Sequence, residues 1–214
     1  MHQLSQISGM RRDRHDHGDV APALGAGFAF QPIYGMGRDM GEVLREVLGE
    51  AVVAGRVAEM AWEIARHYDD AEPPVAICVL KGAVYFFTDL TRHFPFSPQL
   101  EFVRIASYGA GTSPGADLRF LVDVDCPLEG RHVLVVEDIV DTGRTTAKLL
   151  DVFSARNPKT LRMCALIDKP LRREVDVRVD FVGFTSRDGY LVGYGMDFAE
   201  RYRQLPGVWE MQRV

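Results

Sequence analysis

Hydrophobic residues in this chain occur either in short unbroken runs or in longer stretches with a helical period. The runs leave no polar face for water, which is typical of buried strands. Strands are predicted at 42–48, 75–80, 100–105, 133–136, 161–167 and 181–184. The helical period predicts helices at 50–68, 83–93 and 145–155. Because strands alternate with helices, we predict an α/β fold with a central, mostly parallel sheet flanked by helices.

Composition narrows the class of protein. The chain has 214 residues, of which 47% are hydrophobic and 26% charged, and this fits one globular domain plus an extension. We predict a flexible extension at 1–35, because its apolar segment 20–30 is interrupted by proline and glycine, and a domain at 36–214. A net charge of -5 argues against a protein whose main role is nucleic-acid binding. No run of about 18 apolar residues occurs, so we predict no membrane partner.

The three cysteines lack the spacing of a metal site. Cys78, Cys126 and Cys164 form no C-x-x-C pair, which argues against both zinc binding and a disulfide framework. We predict reduced thiols packed as small hydrophobes, as is typical of cytoplasmic proteins.

The segment 132–146, HVLVVEDIVDTGRTT, carries the strongest chemical signal. Its apolar run ends in Glu137 and Asp138, and a polar loop then leads into a predicted helix. Ligands of open α/β sheets bind beyond the carboxyl ends of the strands. Backbone amides and hydroxyls at a helix N-terminus suit a phosphate, but the Lys-Ser/Thr ending of a triphosphate-binding P-loop is missing.

The adjacent carboxylates restrict which phosphorylated ligand could bind. They would repel a phosphate unless the ligand also brings a cis-diol, a divalent cation or both. A 5-phosphorylated ribose meets that condition. The alternative is that Glu137 and Asp138 are solvated acids at the end of a strand.

The form Glu-Asp-x-x-Asp-Thr-Gly-x-Thr at 137–145 resembles the ribose-phosphate motif of the type I phosphoribosyltransferases, in its hypoxanthine-guanine branch. Four other segments resemble the family's pyrophosphate loop, mobile flap, purine-reading lysine and C-terminal signature. They are Leu80-Lys81-Gly82, Ser107-Tyr108-Gly109, Lys169 and the segment 193–197. The resemblance implies the family's fold, with a small hood subdomain formed by the N-terminal strand and the C-terminal segment.

It also implies an activity: transfer of the phosphoribosyl group from phosphoribosyl pyrophosphate to hypoxanthine or guanine, a purine-salvage reaction that needs Mg²⁺. By resemblance, the ribose hydroxyls are bound by Glu137 and Asp138. The 5-phosphate is bound by Asp141, Thr142, Gly143, Arg144 and Thr145. The pyrophosphate is bound by Lys81, Gly82 and Arg203, with a non-proline cis peptide before Lys81. The metal is bound by Glu137, Asp138 and Asp197.

The remaining implied roles concern the base. Lys169 can only donate hydrogen bonds, which suits the O6 atom of a 6-oxopurine and opposes the amino group of adenine. Tyr190 would stack on the ring, and Leu191 and Asp197 would complete the purine side. Asp141 is the candidate general base for the N7 proton, with helix capping as its alternative role. The ranking of hypoxanthine, guanine and xanthine stays open.

Two competing functions remain at this stage. One is an RNA-binding regulatory protein on the same scaffold, and the other is a phosphoribosyltransferase for a different base. The acidic net charge argues against the first and Lys169 against the second. By resemblance, Ser107 and Tyr108 are expected to form a flap that closes over the reacting carbon and excludes water, with a passive linker as the alternative. The family commonly forms homodimers or homotetramers, and we expect one of these assemblies for this chain.

Overall fold

The computed structural model describes residues 42–107 and 118–213, which form two sheets and their flanking helices. The strands are β1 (Glu42–Leu48), β2 (Val75–Leu80), β3 (Gln99–Ser107), β4 (Leu118–Val122), β5 (His132–Val140), β6 (Thr160–Asp168), β7 (Phe181–Thr185), β8 (Tyr190–Val192) and β9 (Val208–Arg213). The helices are α1 (Glu50–Ala65), α2 (Val84–Arg92), α3 (Arg144–Ser154) and a 3₁₀ turn at Pro170–Arg172.

The larger sheet has the order β4-β3-β2-β5-β6-β7 and is parallel except for the pairing of β4 with β3. This confirms the predicted α/β class with a mostly parallel sheet. The direction in which strands are added reverses between β2 and β5, and such a reversal is where open α/β sheets bind their ligands. The carboxyl ends of β2 and β5 therefore deliver the Lys81 loop and the Glu137–Asp138 pair to one place.

Apolar side chains cover both faces of this sheet. On one face, Ala76 and Cys78 of β2 belong to a core cluster with buried residues of α1 and α2. On the other, Ile77 packs in a second cluster that includes Leu149 and Phe153 of α3. Burial on both faces explains why the central strands read as unbroken apolar runs.

A smaller antiparallel sheet has the order β1-β9-β8. It joins the first and last described strands of the chain, and β8 carries Tyr190 and Leu191. The border between extension and domain lies outside the described residues and stays a prediction.

Several predicted boundaries were wrong. Strand β5 continues to Val140, so Glu137 and Asp138 lie within it rather than after it. Pairing with β6 explains this, because Ile139 and Val140 continue the ladder. Helix α1 ends at Ala65, short of the predicted residue 68. Strand β3 runs from Gln99 to Ser107, beyond its predicted end at residue 105, and Tyr108 of the predicted flap lies outside the described residues.

The three cysteines are free, as predicted. Burial raises the pKa of Cys78 to about 12, so its thiol stays protonated at neutral pH. Among the described residues, no helix combines the length and apolar character needed to cross a membrane.

Candidate active site

A cavity of about 510 Å³ opens beyond the carboxyl ends of β5 and β6. It brings together six of the residues selected from the sequence, namely Asp138, Asp141, Lys169, Tyr190, Leu191 and Asp197. Arg172 and Asp188, which were not selected, also line it. The cavity therefore joins the β5 segment to residues that follow it by up to about sixty positions in the chain.

Of the two acids of β5, Asp138 lines the cavity, whereas Glu137 precedes it on the strand and is not among the lining residues. Asp138 is buried, and its backbone N–H donates to Oε1 of Glu137 at 3.2 Å. Burial, and then the charge of Asp138, raises the pKa of Glu137 well above its ordinary value. In the part of the chain that the structure describes, no cation contributes to this shift of Glu137, and ligand hydroxyl groups or a metal ion would supply the missing partner.

The loop after β2 lies against these acids. The peptide between Leu80 and Lys81 is cis, as the resemblance implies. A Cβ atom at Gly82 would overlap the carboxylate of Asp138, so a residue without a side chain is required at this position. The Lys81–Gly82 loop and the acidic pair therefore form adjoining walls.

The loop from Asp141 to Thr145 leads directly into α3. Gly143 is its N-cap with φ +81°, and a Cβ atom there would lie 2.6 Å from the carbonyl oxygen of Val175. The segment after β6 holds the loop from outside, because the backbone N–H groups of Glu174 and Val175 donate to the carbonyl of Thr142 at 2.9 and 3.2 Å. Helix α3 begins at Arg144, one residue before its predicted start, and the side chains of Arg144 and Thr145 are exposed.

Asp141 is bound by side chains rather than by the helix. Its Oδ1 accepts a hydrogen bond from Nε of Arg172 at 2.6 Å, and its Oδ2 lies 3.9 Å from Nζ of Lys169. The N-cap of α3 is Gly143, and the Asp141 carboxylate contacts Arg172 and Lys169 instead of the helix, so the alternative role of Asp141 as a helix cap is wrong.

Arg173 is a structural contact that the sequence did not identify. Its Nη1 donates to the carbonyl oxygens of Val140 and Asp141 at 2.8 and 2.5 Å, and its Nη2 pairs with Asp168. It therefore ties the start of the loop from Asp141 to Thr145 to the end of β6. The Arg172-Arg173 dipeptide was the available signal, but it resembled an ordinary basic surface cluster.

Lys169 is the buried cation of the cavity, with 3% of its surface exposed. Its Nζ donates to the carbonyl oxygen of Gly189 at 2.6 Å. Burial lowers the pKa of Lys169, and the nearby Asp141 opposes that shift. Tyr190 faces the same cavity half-exposed, and its hydroxyl donates to the backbone carbonyl of Asp197 at 3.1 Å.

Charged residues of the C-terminal segment meet Lys81 at the edge of the site. Arg203 Nη2 lies 2.7 Å from Oδ1 of Asp197, and its Nη1 donates to the carbonyl of Gly195 at 2.6 Å. Lys81 Nζ donates to Oε2 of Glu200 at 2.9 Å.

The three acids predicted to bind the metal have suitable chemistry but lie on separate walls. Carboxylate oxygens, which Glu137, Asp138 and Asp197 all provide, are the ligands that Mg²⁺ prefers. Within 42–107 and 118–213, no three acidic, histidine or cysteine side chains converge on one point. The predicted ligands Glu137, Asp138 and Asp197 therefore do not form a single cluster made by protein alone, because Asp197 lies on the C-terminal wall beside Arg203.

Comparisons with known proteins agree with this geometry. The family model for the phosphoribosyl transferase domain matches residues 49–199. The hypoxanthine phosphoribosyltransferase of Escherichia coli K12 is 41% identical over 168 residues, which cover 78% of this chain and 94% of that protein. The hypoxanthine-guanine phosphoribosyltransferase of Bacillus subtilis is 39% identical over 165 residues, covering 77% and 91%.

A similar solved structure is that of a hypoxanthine-guanine phosphoribosyltransferase from Bacillus anthracis, which has a HEPES molecule in its active site. It is 40% identical, has a TM-score of 0.74, and the match covers 78% of this chain and 97% of that one. The chain belongs to the phosphoribosyltransferase family.

Proposed function

We propose that this chain transfers the 5-phosphoribosyl group of phosphoribosyl pyrophosphate to N9 of hypoxanthine or guanine, giving the nucleoside monophosphate and pyrophosphate. The observation that carries the proposal is the single cavity lined by Asp138, Asp141 and Lys169. The cavity combines a carboxylate for the ribose hydroxyls (Asp138), a general base for the purine (Asp141) and a hydrogen-bond donor for the 6-oxo group (Lys169). The relatives' names point to the same substrates.

The ribose is held while its C1–oxygen bond breaks. Glu137 and Asp138 accept hydrogen bonds from the 2- and 3-hydroxyl groups, and the loop from Asp141 to Thr145 binds the 5-phosphate at the start of α3. Carboxylates beside the sugar also stabilise the positive charge that develops on the ring as the leaving group departs.

The purine is oriented by the opposite wall. Lys169 donates to O6, Tyr190 stacks on the ring, and the main chain of Leu191 contacts the base edge. Asp141 takes the N7 proton as the bond to N9 forms. Its pairing with Arg172 keeps the carboxylate at the mouth of the cavity, on the same side as Lys169.

The pyrophosphate is bound by Lys81, the Gly82 amide and Arg203. Glu137, Asp138 and Asp197 would provide carboxylate oxygens for Mg²⁺, which would neutralise charge on this leaving group. Ser107 and Tyr108 belong to the segment that we propose closes over the reacting carbon and excludes water.

The test is a pyrophosphate-release assay with phosphoribosyl pyrophosphate, Mg²⁺ and each of hypoxanthine, guanine, xanthine and adenine. Hypoxanthine or guanine should exceed adenine in kcat/KM by a factor of about 10⁴, because adenine leaves Lys169 without an acceptor. Faster turnover of adenine would overturn the substrate assignment, and no release with any base would overturn the activity. Retention of RNA on a filter at moderate salt, without turnover, would instead support the RNA-binding alternative.

We further propose that the enzyme works in the cytoplasm, supported by its free thiols, and as a homodimer or homotetramer. Size-exclusion chromatography with light scattering would measure the assembly.

A further inference from the structure

An acidic side chain lies between the two cations that we assign to pyrophosphate. Glu200 Oε2 accepts a hydrogen bond from Lys81 Nζ at 2.9 Å and lies 3.4 Å from Nη2 of Arg203. A carboxylate and a phosphate accept hydrogen bonds from the same N–H groups. Lys81 and Arg203 therefore already have an anionic partner before pyrophosphate arrives.

The backbone holds Glu200 in this place. Phe198 and Arg201 exchange backbone hydrogen bonds of 3.1 and 2.9 Å across a two-residue turn, in which Ala199 and Glu200 have φ +51° and +63°. Such turns usually contain asparagine or glycine, since other residues rarely adopt positive φ. The N–H of Glu200 also donates to Oδ2 of Asp197 at 2.8 Å. The turn is thus fixed at its base, whereas the Glu200 side chain is 65% exposed to solvent.

Arg203 does not need Glu200 to keep its orientation. Its guanidinium contacts the carbonyl of Gly195 and the carboxylate of Asp197 at 2.6 and 2.7 Å. Both contacts are shorter than its contact with Glu200. These distances therefore argue against a purely structural role in which Glu200 positions Arg203.

We propose that Glu200 competes with the pyrophosphate group for Lys81 and Arg203, and so weakens the binding of both the donor substrate and the released pyrophosphate. This inference rests on the proposed function, because it requires Lys81 and Arg203 to bind pyrophosphate. The consequence of this competition is faster release of pyrophosphate, which Lys81 and Arg203 would otherwise bind more tightly. Lys81 and Arg203 also lower the pKa of Glu200, so its side chain remains a carboxylate at neutral pH.

The test replaces Glu200 in the full-length enzyme and measures inhibition by inorganic pyrophosphate, with Mg²⁺ present, against varied phosphoribosyl pyrophosphate. In Glu200→Gln the inhibition constant should fall by about 1.4- to 5-fold, the range expected for exposed ion pairs. The KM for the donor should fall in the same direction, whereas the KM for hypoxanthine should not change. The matched control is Glu129→Gln, an equal change of charge on an exposed turn before β5, at the other end of the sheet.

A second variant separates direct competition from a general effect of charge. Glu200→Asp keeps the negative charge but shortens the side chain by one methylene, so the carboxylate is withdrawn from Lys81. Tighter pyrophosphate binding in both variants supports the proposal. Tighter pyrophosphate binding in Glu200→Gln alone indicates a general effect of charge. An unchanged or raised inhibition constant in Glu200→Gln indicates that Glu200 positions the cations. Either result overturns the proposal. Absence of turnover in the unmodified enzyme would instead refute the proposed function.

Discussion

Asp141 is the residue at which catalysis and structure can be separated most cleanly. Replacing it with asparagine keeps the size of the side chain but removes its ability to accept a proton. We expect kcat to fall by a factor of about 10² to 10⁴, whereas the binding of inosine monophosphate is retained. Steady-state kinetics and calorimetric titration would measure the two effects.

The fold should tolerate this change, because the lost ion pair with Arg172 is exposed and contributes less than about 1 kcal/mol. An asparagine variant with unchanged kcat would remove Asp141 from the catalytic step. A variant that no longer binds the nucleotide would show that the residue is needed to assemble the loop.

Glu137 is expected to reduce stability at neutral pH. Its pKa is raised by burial and by Asp138, so the folded state disfavours the charged form that the unfolded chain adopts. Stability linked to the protonated acid is complete below the unfolded pKa and is lost as pH rises through the folded pKa. Glu137→Gln, which carries no charge at any pH, should therefore raise the free energy of unfolding at pH 7.

The expected gain in the free energy of unfolding at pH 7 is about 1.4 kcal/mol for each pH unit in which Glu137 is protonated in the folded state but ionised in the unfolded state. This window begins at the unfolded pKa and ends at the folded pKa, or at pH 7 where the folded pKa lies above pH 7. Below pH 4 the difference between the two proteins should disappear. Urea unfolding at pH 4 and pH 7 provides the measurement. If the two proteins differ in stability by the same amount at both pH values, the buried charge of Glu137 is not the cause of the difference. The same variant should lose turnover if Glu137 binds ribose, so that stability and activity change in opposite directions.

At the scale of elements, the loops after β5 and β6 depend on one arginine. Arg173 is largely buried and joins two backbone carbonyls of the first loop to Asp168 at the end of β6. Removing one partner of a buried ion pair costs about 3 to 5 kcal/mol. We expect Arg173→Gln to lower the free energy of unfolding by that amount and to raise the KM for phosphoribosyl pyrophosphate.

The neighbouring residue supplies the control. Arg172 lies on the same 3₁₀ turn, but half of its side chain is exposed, so Arg172→Gln should lower the free energy of unfolding by less than about 1 kcal/mol. Chemical denaturation of the two variants would compare them. Equal destabilisation would show that the buried contacts of Arg173 add nothing beyond those of a surface pair.

Strands that are buried on both faces of the sheet could be predicted from the sequence, and so could the more exposed strand β1, whereas three other strands could not. Strands β2 and β6 read as apolar runs because helices cover both faces of the sheet there. Strands β4, β8 and β9 were missed, since they are short, antiparallel and partly exposed, so their sequences lack such a run.

The same distinction applies to the site. The Glu137–Asp138 pair and the loop that follows are contiguous in the chain, so their chemistry is visible locally. Arg172 and Arg173 are adjacent residues of the same type, yet the side chain of Arg172 is half exposed and that of Arg173 is largely buried. Only the packing of the 3₁₀ turn against β5 separates their roles, and that information is not local.

For the whole molecule, the predicted extension at 1–35 should be dispensable for chemistry. Every selected site residue lies between Lys81 and Arg203, and the family match covers 49–199. We expect a chain that begins at residue 36 to keep its kcat and its KM values. Kinetics of the shortened and full-length proteins at matched concentration would test this, and a loss of turnover would assign the extension a part in the active enzyme.

The smaller sheet can be completed only after β9 has been synthesised, because β9 pairs with both of its other strands. Strand β8, which bears Tyr190 and Leu191, pairs with β9, and β9 is also the partner of β1. Strand β9 leaves the ribosome after every other described element, so a nascent chain that stops short of it contains the strands of the larger sheet but lacks the partner of β8, to which we assign recognition of the base. Synthesis that ends before Val208 would therefore leave incomplete the wall that we propose for the purine.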